Sequence, residues 1–243
     1  MKGFTFNGTH SSTYGIVMKS INRQVLPTSN DTYLQIPGRH GSYLFSGELT
    51  DRIIEIECGL TKSTLENLRS GMRDIAAWLY TTDRESLVFD DEPTKTYRAK
   101  VEGQIDLEQM FVLGKFTLQF RCEPLAYGAV QTVNFVSDTA TVNNTGTFET
   151  PPRFSATITI TSATTLKVIL GTSYIKVDHT FAISDALTID CGTGSILING
   201  SRAISYLDWQ NSEFFNLAVG SNILTISPSG TCSAAVTFSP RWL

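Results

Sequence analysis

The stretch Gly114-Lys-Phe-Thr-Leu-Gln-Phe-Arg-Cys122 decides how this chain folds. Phe116, Leu118 and Phe120 alternate with Lys115, Thr117, Gln119 and Arg121. Successive side chains of an extended strand point to opposite faces, so the stretch reads as an antiparallel strand with one buried face and one wet face. Its neighbours repeat the signal more weakly. Ile53-Ile-Glu-Ile-Glu-Cys58 partly alternates, and residues 97–105 read as a further strand. Leu87-Val-Phe89 is a short strand running into Asp90-Asp-Glu-Pro93, a turn.

One segment keeps a different period. Ser63-Thr-Leu-Glu66 reads as a capping box, with the serine oxygen taking a free helix N–H and the glutamate reaching back. Leu65, Leu68, Met72, Ile75, Ala76 and Leu79 then recur at helical spacing, and Ala77 and Trp78 broaden the stripe. Gly71 sits mid-helix, at a cost of about 1 kcal/mol against alanine, and its missing side chain permits a close packing contact.

Composition changes near residue 128. Residues 1–128 hold 14 Lys+Arg and 16 Asp+Glu, whereas residues 129–243 hold 5 and 7. The second part is rich in Thr, Ser, Ile, Val and Asn instead. The shift falls on Glu123-Pro-Leu-Ala-Tyr-Gly128, whose Pro and Gly both interrupt regular structure. Two domains follow from this, 1–128 and 129–243. The first is α+β, a small β-sandwich carrying one amphipathic helix. The second shows no helical period. Strands are expected over residues 153–161, 166–170, 180–183, 187–190, 195–198, 214–217, 222–227 and 234–238, separated by Gly192, Asn199-Gly200, Gly220 and Gly230. That pattern is a β-sandwich or jelly roll, and Asn199-Gly200 is a hairpin signal. The fold class is mainly β.

The bulk numbers exclude several functions. A chain of 243 residues with 41% hydrophobic residues can bury real cores. A net charge of -4 gives no general attraction for phosphate backbones, so specific nucleic-acid binding is not expected. No apolar run is long enough to span a membrane. The opening Met-Lys-Gly-Phe-Thr-Phe-Asn-Gly turns polar too early for a secretion signal, so the chain is expected to fold in a cytoplasm, with Cys58, Cys122, Cys191 and Cys232 as reduced thiols.

Chemistry-bearing motifs are mostly absent: no Gly-x-Ser-x-Gly, phosphate-binding loop, His-Glu-x-x-His or Cys-x-x-Cys occurs. His10, His40 and His179 lie far apart in turn-like segments, without ligand spacing, and are expected on surface loops. Cys58 and Cys122 end predicted strands and suit buried packing. Asp90-Asp91-Glu92 is the densest acidic cluster. A cation site or a glycosidase carboxylate is one reading of it, and a hairpin turn closed by Pro93 is the favoured one. Tyr206, Trp209, Phe214, Phe215 and Trp242 are read as core aromatics, with a sugar-stacking platform as the competing possibility. No catalytic, cofactor-binding or metal-ligating residue is assigned, and no cofactor is expected.

Several stretches, in this order, resemble one family. Phe4-Thr-Phe-Asn-Gly8, Tyr14-Gly-Ile16, Ile36-Pro-Gly-Arg-His-Gly41, the helix closing in Ala77-Trp-Leu79, Leu87-Val-Phe-Asp-Asp91, Tyr97-Arg-Ala-Lys100 and Gly114 to Pro124 are similar to the siphophage distal tail proteins. Asn143-Asn-Thr-Gly146, Pro152-Arg-Phe154, Ile198-Asn-Gly200 and Val219-Gly-Ser-Asn222 resemble the family's more variable C-terminal β-sandwich, a domain of galectin-like or carbohydrate-binding-module-like kind. The resemblance implies a non-catalytic virion protein at the tail tip, assembled in the host cytoplasm of a phage or prophage of Gram-positive bacteria. It also implies a ring of N-terminal domains, typically hexameric, through which DNA passes. Implied partners are further copies of the chain, the tail tube protein, the tail-associated fibre or lysin protein and the receptor-binding protein. The alternative is a carbohydrate-binding accessory protein acting through the C-terminal domain.

Residues 20–52 bear on the ring. Ile21, Val25, Leu26, Tyr33, Leu34, Ile36, Tyr43, Leu44 and Phe45 lie there in a Gly- and Pro-broken context. Part of this stretch is expected to form a hairpin or arm that packs on a neighbouring subunit, unless it simply covers its own core.

Overall fold

A computed structural model describes residues 3–61, 64–103, 105, 108–110, 113–160 and 163–243. The chain divides into two compact units, Met1–Tyr127 with Leu243, and Gly128–Trp242.

The first unit is built on an eight-stranded antiparallel sheet. Its order is Thr9–His10, Phe4–Phe6, Glu85–Phe89, Tyr97–Glu102, Leu113–Cys122, Arg52–Thr61 and Ile16–Arg23, with Glu108–Met110 also pairing Leu113–Cys122. The strand that opened the sequence reading is central, and Phe116, Leu118 and Phe120 are buried while Lys115, Thr117 and Arg121 are exposed. The strand beginning at Tyr97 ends at Glu102 rather than residue 105, because Gly103 turns at φ 85°.

The helix, Leu65–Leu79, covers the apolar face. Leu68, Ile75, Trp78 and Leu79 are buried, and so is Gly71 on the same side. Ala76 and Ala77 are exposed, against expectation. The large indole of Trp78 rotates the buried stripe toward itself, and at 3.6 residues per turn this leaves Ala77 on the far side. Trp78 packs on Phe4, Phe6 and Tyr14, its ring stacked 4.7 Å from Tyr14, and its Nε1–H donates to the Phe6 carbonyl at 3.0 Å. The cap also differs from the sequence reading. Thr64 is the extended residue before the helix, and its Oγ1 accepts the Asn67 N–H at 3.2 Å. Glu66 therefore stands one position too early to close a box from Thr64, and the expected cap Ser63 lies outside the described residues.

The second unit is a β-sandwich. One sheet runs Gln131–Asn134, Cys232–Phe238, Arg153–Ile158, Ala186–Asp190, Ser195–Ile198 and Ser201–Arg202, and the other Thr139–Asn144, Gly220–Ser227, Ala163–Leu170 and Ser173–Phe181. Leu166, Val177, Leu187, Ile189, Leu224 and Val236 are among the side chains that fill the space between them. The Asn199-Gly200 hairpin forms, with both residues at positive φ. Several strands carry no legible alternation. Thr139–Asn144 buries Ala140, Val142 and Asn144, and such small or polar inward residues hide the alternation. Asn144 is satisfied there, donating to the Phe148 carbonyl at 3.0 Å and accepting from Gly146 N–H at 3.0 Å. Gln131–Asn134 likewise has no expected strand, and the strand expected over 180–183 meets only the end of the longer Ser173–Phe181. Residues 214–217 form no strand, and only Leu217 bridges, to Thr150.

Candidate functional site

The surface feature that stands out is an arm. Ile16–Arg23 pairs directly with Arg52–Thr61, so the sheet closes without the residues between. Those residues form a separate two-stranded sheet, Ser29–Gln35 against Ser42–Leu49. Gly38 and Gly41 make the turn at φ 85° and 82°, a left-handed backbone that favours glycine. Arg39 lies at the tip with its guanidinium 3.6 Å over the Tyr43 ring.

Every residue of Ser29–Gln35 is exposed, and all of Ser42–Leu49 except Leu49, which is half-buried. A lone hairpin is marginal in water. Yet this one carries Val25 at 93% exposure, Phe45 at 78%, and exposed Leu26, Tyr33, Leu34, Ile36, Tyr43 and Leu44. The reading in which this stretch covers its own core is thereby corrected. The register sets Tyr33 opposite Leu44 and Leu34 opposite Tyr43, so apolar pairs occupy both faces. Thr32 faces Ser46 while Tyr33 faces Leu44, which makes Phe45 the extra residue of a bulge. The Tyr33 hydroxyl donates to Asp31 at 3.2 Å, and the charge of Asp31 pushes the phenol's pKa up. Sequence reading found the arm but not its two-sidedness. The signal was there in Tyr33-Leu34 and Tyr43-Leu44-Phe45, where adjacent apolar residues break strand alternation.

The other singled-out residues serve structure. Asp90 accepts the Gly3 N–H at 2.7 Å and lies 3.2 Å from His10 Nε2. Asp91 accepts from Arg23 at 2.7 Å, and Glu92 from Lys95 at 2.6 Å and from the Tyr97 hydroxyl at 3.0 Å. The cluster is a turn, with Glu92 N–H bonded to the Phe89 carbonyl at 3.0 Å. Its carboxylates are engaged within the protein. His40 is on the exposed arm tip, but His10 and His179 are in strands rather than loops. His10 caps a short helical turn, its Nδ1 accepting the Ser12 N–H at 3.2 Å, and His179 packs 4.5 Å from Tyr206. Turn residues around them misled the sequence reading. Among the described residues no three His, Cys, Asp or Glu side chains converge to hold a metal, and no helix is long and apolar enough to cross a membrane.

The four cysteines are free. Burial pushes the thiols of Cys58, Cys122 and Cys191 up to about 12, which suits packing rather than nucleophilic use. Of the five aromatics read as core, Phe215 alone is buried, and Tyr206 and Trp209 correct the reading because they are exposed. Phe215 is in the core against Phe154 at 5.8 Å, and Phe214 and Trp242 are half-buried.

The chain thus joins an antiparallel sheet, which carries one helix and an exposed hairpin, to a β-sandwich. Residues 10–122 match the family described as phage tail protein RIFT-related domain, and residues 145–242 match the siphovirus-type tail component, C-terminal domain. The distal tail protein of Bacillus phage SPP1 is 29% identical over 185 residues, covering 72% of this chain and 73% of that one. The crystal structure of the SPP1 Dit protein, described as a paradigm of the hub adsorption apparatus in phages infecting Gram-positive bacteria, superposes with a TM-score of 0.85 at 20% identity over 100% of both chains. The chain belongs to the siphophage distal tail proteins. It is a structural component of the phage tail, and its place is the virion tail.

Proposed function

We propose that the first unit self-associates head-to-tail into a closed ring, hexameric, which joins the tail tube to the tail fibre or lysin protein and lets DNA through. The observation that carries this is the arm: a ribbon of apolar side chains, standing free of its own core, is the kind of surface a neighbour covers. A head-to-tail contact needs two different faces on each copy, and it closes into a ring or runs on as a filament. The second unit projects outward and holds the receptor-binding apparatus. Assembly takes place in the host cytoplasm. The role is non-catalytic, in keeping with Asp90-Asp91-Glu92 forming a turn whose carboxylates are engaged within the protein. An acid-leaning chain also suits a lumen that DNA must leave freely, since a strongly basic one would hold the phosphates.

Native mass spectrometry and electron microscopy of the full chain test the reading. A closed oligomer with a central hole is expected. Replacing residues 25–49 by a short turn is expected to leave a soluble monomer with unchanged circular dichroism in its β-rich body. Rings that persist without the arm would refute its role.

A further inference from the structure

We infer that the arms pack on one another, each arm lying between the arms of the two adjacent copies. This rests on the self-association proposed above and adds what the arm binds. Three observations lead to it.

The first is the two-faced ribbon. Tyr33 and Leu44 stand on one side, Leu34 and Tyr43 on the other, all exposed. A sheet laid on a single surface shows apolar residues toward that surface and polar residues toward water. A ribbon apolar on both sides is satisfied only when both sides are covered. One neighbouring body beneath the arm would leave half of this surface in water.

The second is the inventory of partners. Among the residues between 3 and 127 whose exposure is described, the large apolar side chains that are exposed all lie in the arm except Val17 and Tyr80. Those of the second unit, from Val130 to Ile223, are spread along the sequence, so the arm is the one described segment that gathers such side chains together. The surface that matches an arm is another arm.

The third is charge. Between residues 24 and 50 the acidic side chains, Asp31 and Glu48, sit toward the root, where Asp31 pairs with Gly47 and Asn30 with Glu48. Arg39 and His40 lie in the turn at the tip. A tip laid over the next copy's root sets opposite charges together, whereas tip on tip sets like charges together. The two faces differ, so the Tyr33 face of one arm meets the Leu34 face of the next. Such a contact is heterologous, and repeated round a closed set of copies it gives each arm two arm neighbours.

Cysteine cross-linking tests this on the full-length assembled protein. Gln35→Cys, near the tip on the Tyr33 face, and Asn30→Cys, near the root on the Leu34 face, change exposed positions and leave the body intact. The two singly substituted proteins are mixed, reassembled and oxidised. The expected result is a disulfide-linked dimer at least fivefold more abundant in the mixture than in either protein alone, and linked multimers in the double variant. The wild-type protein, with its four native thiols, is the background.

Four other outcomes overturn the inference. If Gln35→Cys or Asn30→Cys alone links as strongly as the mixture, tip meets tip or root meets root and the contact is two-fold. If the protein assembles and no arm-to-arm link forms, the arm binds elsewhere, and the self-association reading survives without this one. If the chain shortened at residues 25–49 still assembles, the arm's role fails while self-association stands, and if the full chain stays monomeric throughout, both readings fail.

Discussion

At the scale of single residues, the fold depends on a few positions where no other side chain fits. Gly146 is one. A Cβ built there would meet the backbone of Arg241, including its nitrogen at 2.7 Å, and a backbone cannot swing aside as a flexible side chain can. Gly146 N–H is also held by the Asn144 side chain at 3.0 Å, which fixes the approach. Gly146→Ala is expected to destabilise the second unit by about 1–3 kcal/mol, as overpacking does, read as a lowered denaturant midpoint with an unchanged slope. The reason for a glycine in Asn143-Asn-Thr-Gly146 is a contact with residue 241, which no local pattern contains.

At the scale of elements, what was legible followed the strength of the local period. Leu113–Cys122 and Leu65–Leu79 carry clean two-residue and helical periods, and both form. Thr139–Asn144 carries Ala, Val and Asn inward, so it lacked a hydrophobic pattern and its pairing with Gly220–Ser227 came from residues about eighty positions away. The helix start was displaced by one residue because two hydroxyl residues stand side by side and only the backbone geometry distinguishes them. Thr64→Ala removes the oxygen that accepts the Asn67 N–H. It is expected to cost the first unit about 1 kcal/mol in chemical denaturation. The arm was legible as an exposed apolar stretch, whereas the side to which each residue points required the register.

At the scale of the whole molecule, the two units differ in how they use apolar surface. The second closes both sheets over a core that includes Phe154, Phe181 and Phe238, and the large apolar side chains it exposes, from Val130 to Ile223, are spread along its sequence rather than gathered in one segment. The first gathers part of its apolar surface on the arm. Residues 128–243 expressed alone are therefore expected to fold cooperatively and remain monomeric at concentrations where the full chain assembles. Analytical ultracentrifugation checks this. Self-association of residues 128–243 equal to that of the full chain would move the contact away from the first unit.

Arg23 pairs with Ile54 at the point where the arm departs, so both of its ends are anchored in neighbouring strands of a finished sheet. A segment attached in this way can gain or lose matched residues, one on each side of its turn, without disturbing the hydrophobic interior. In descendants of this gene, arm length is thus free to drift independently of fold stability, and a lineage can adjust its fit to its neighbours while the body that carries the arm stays the same.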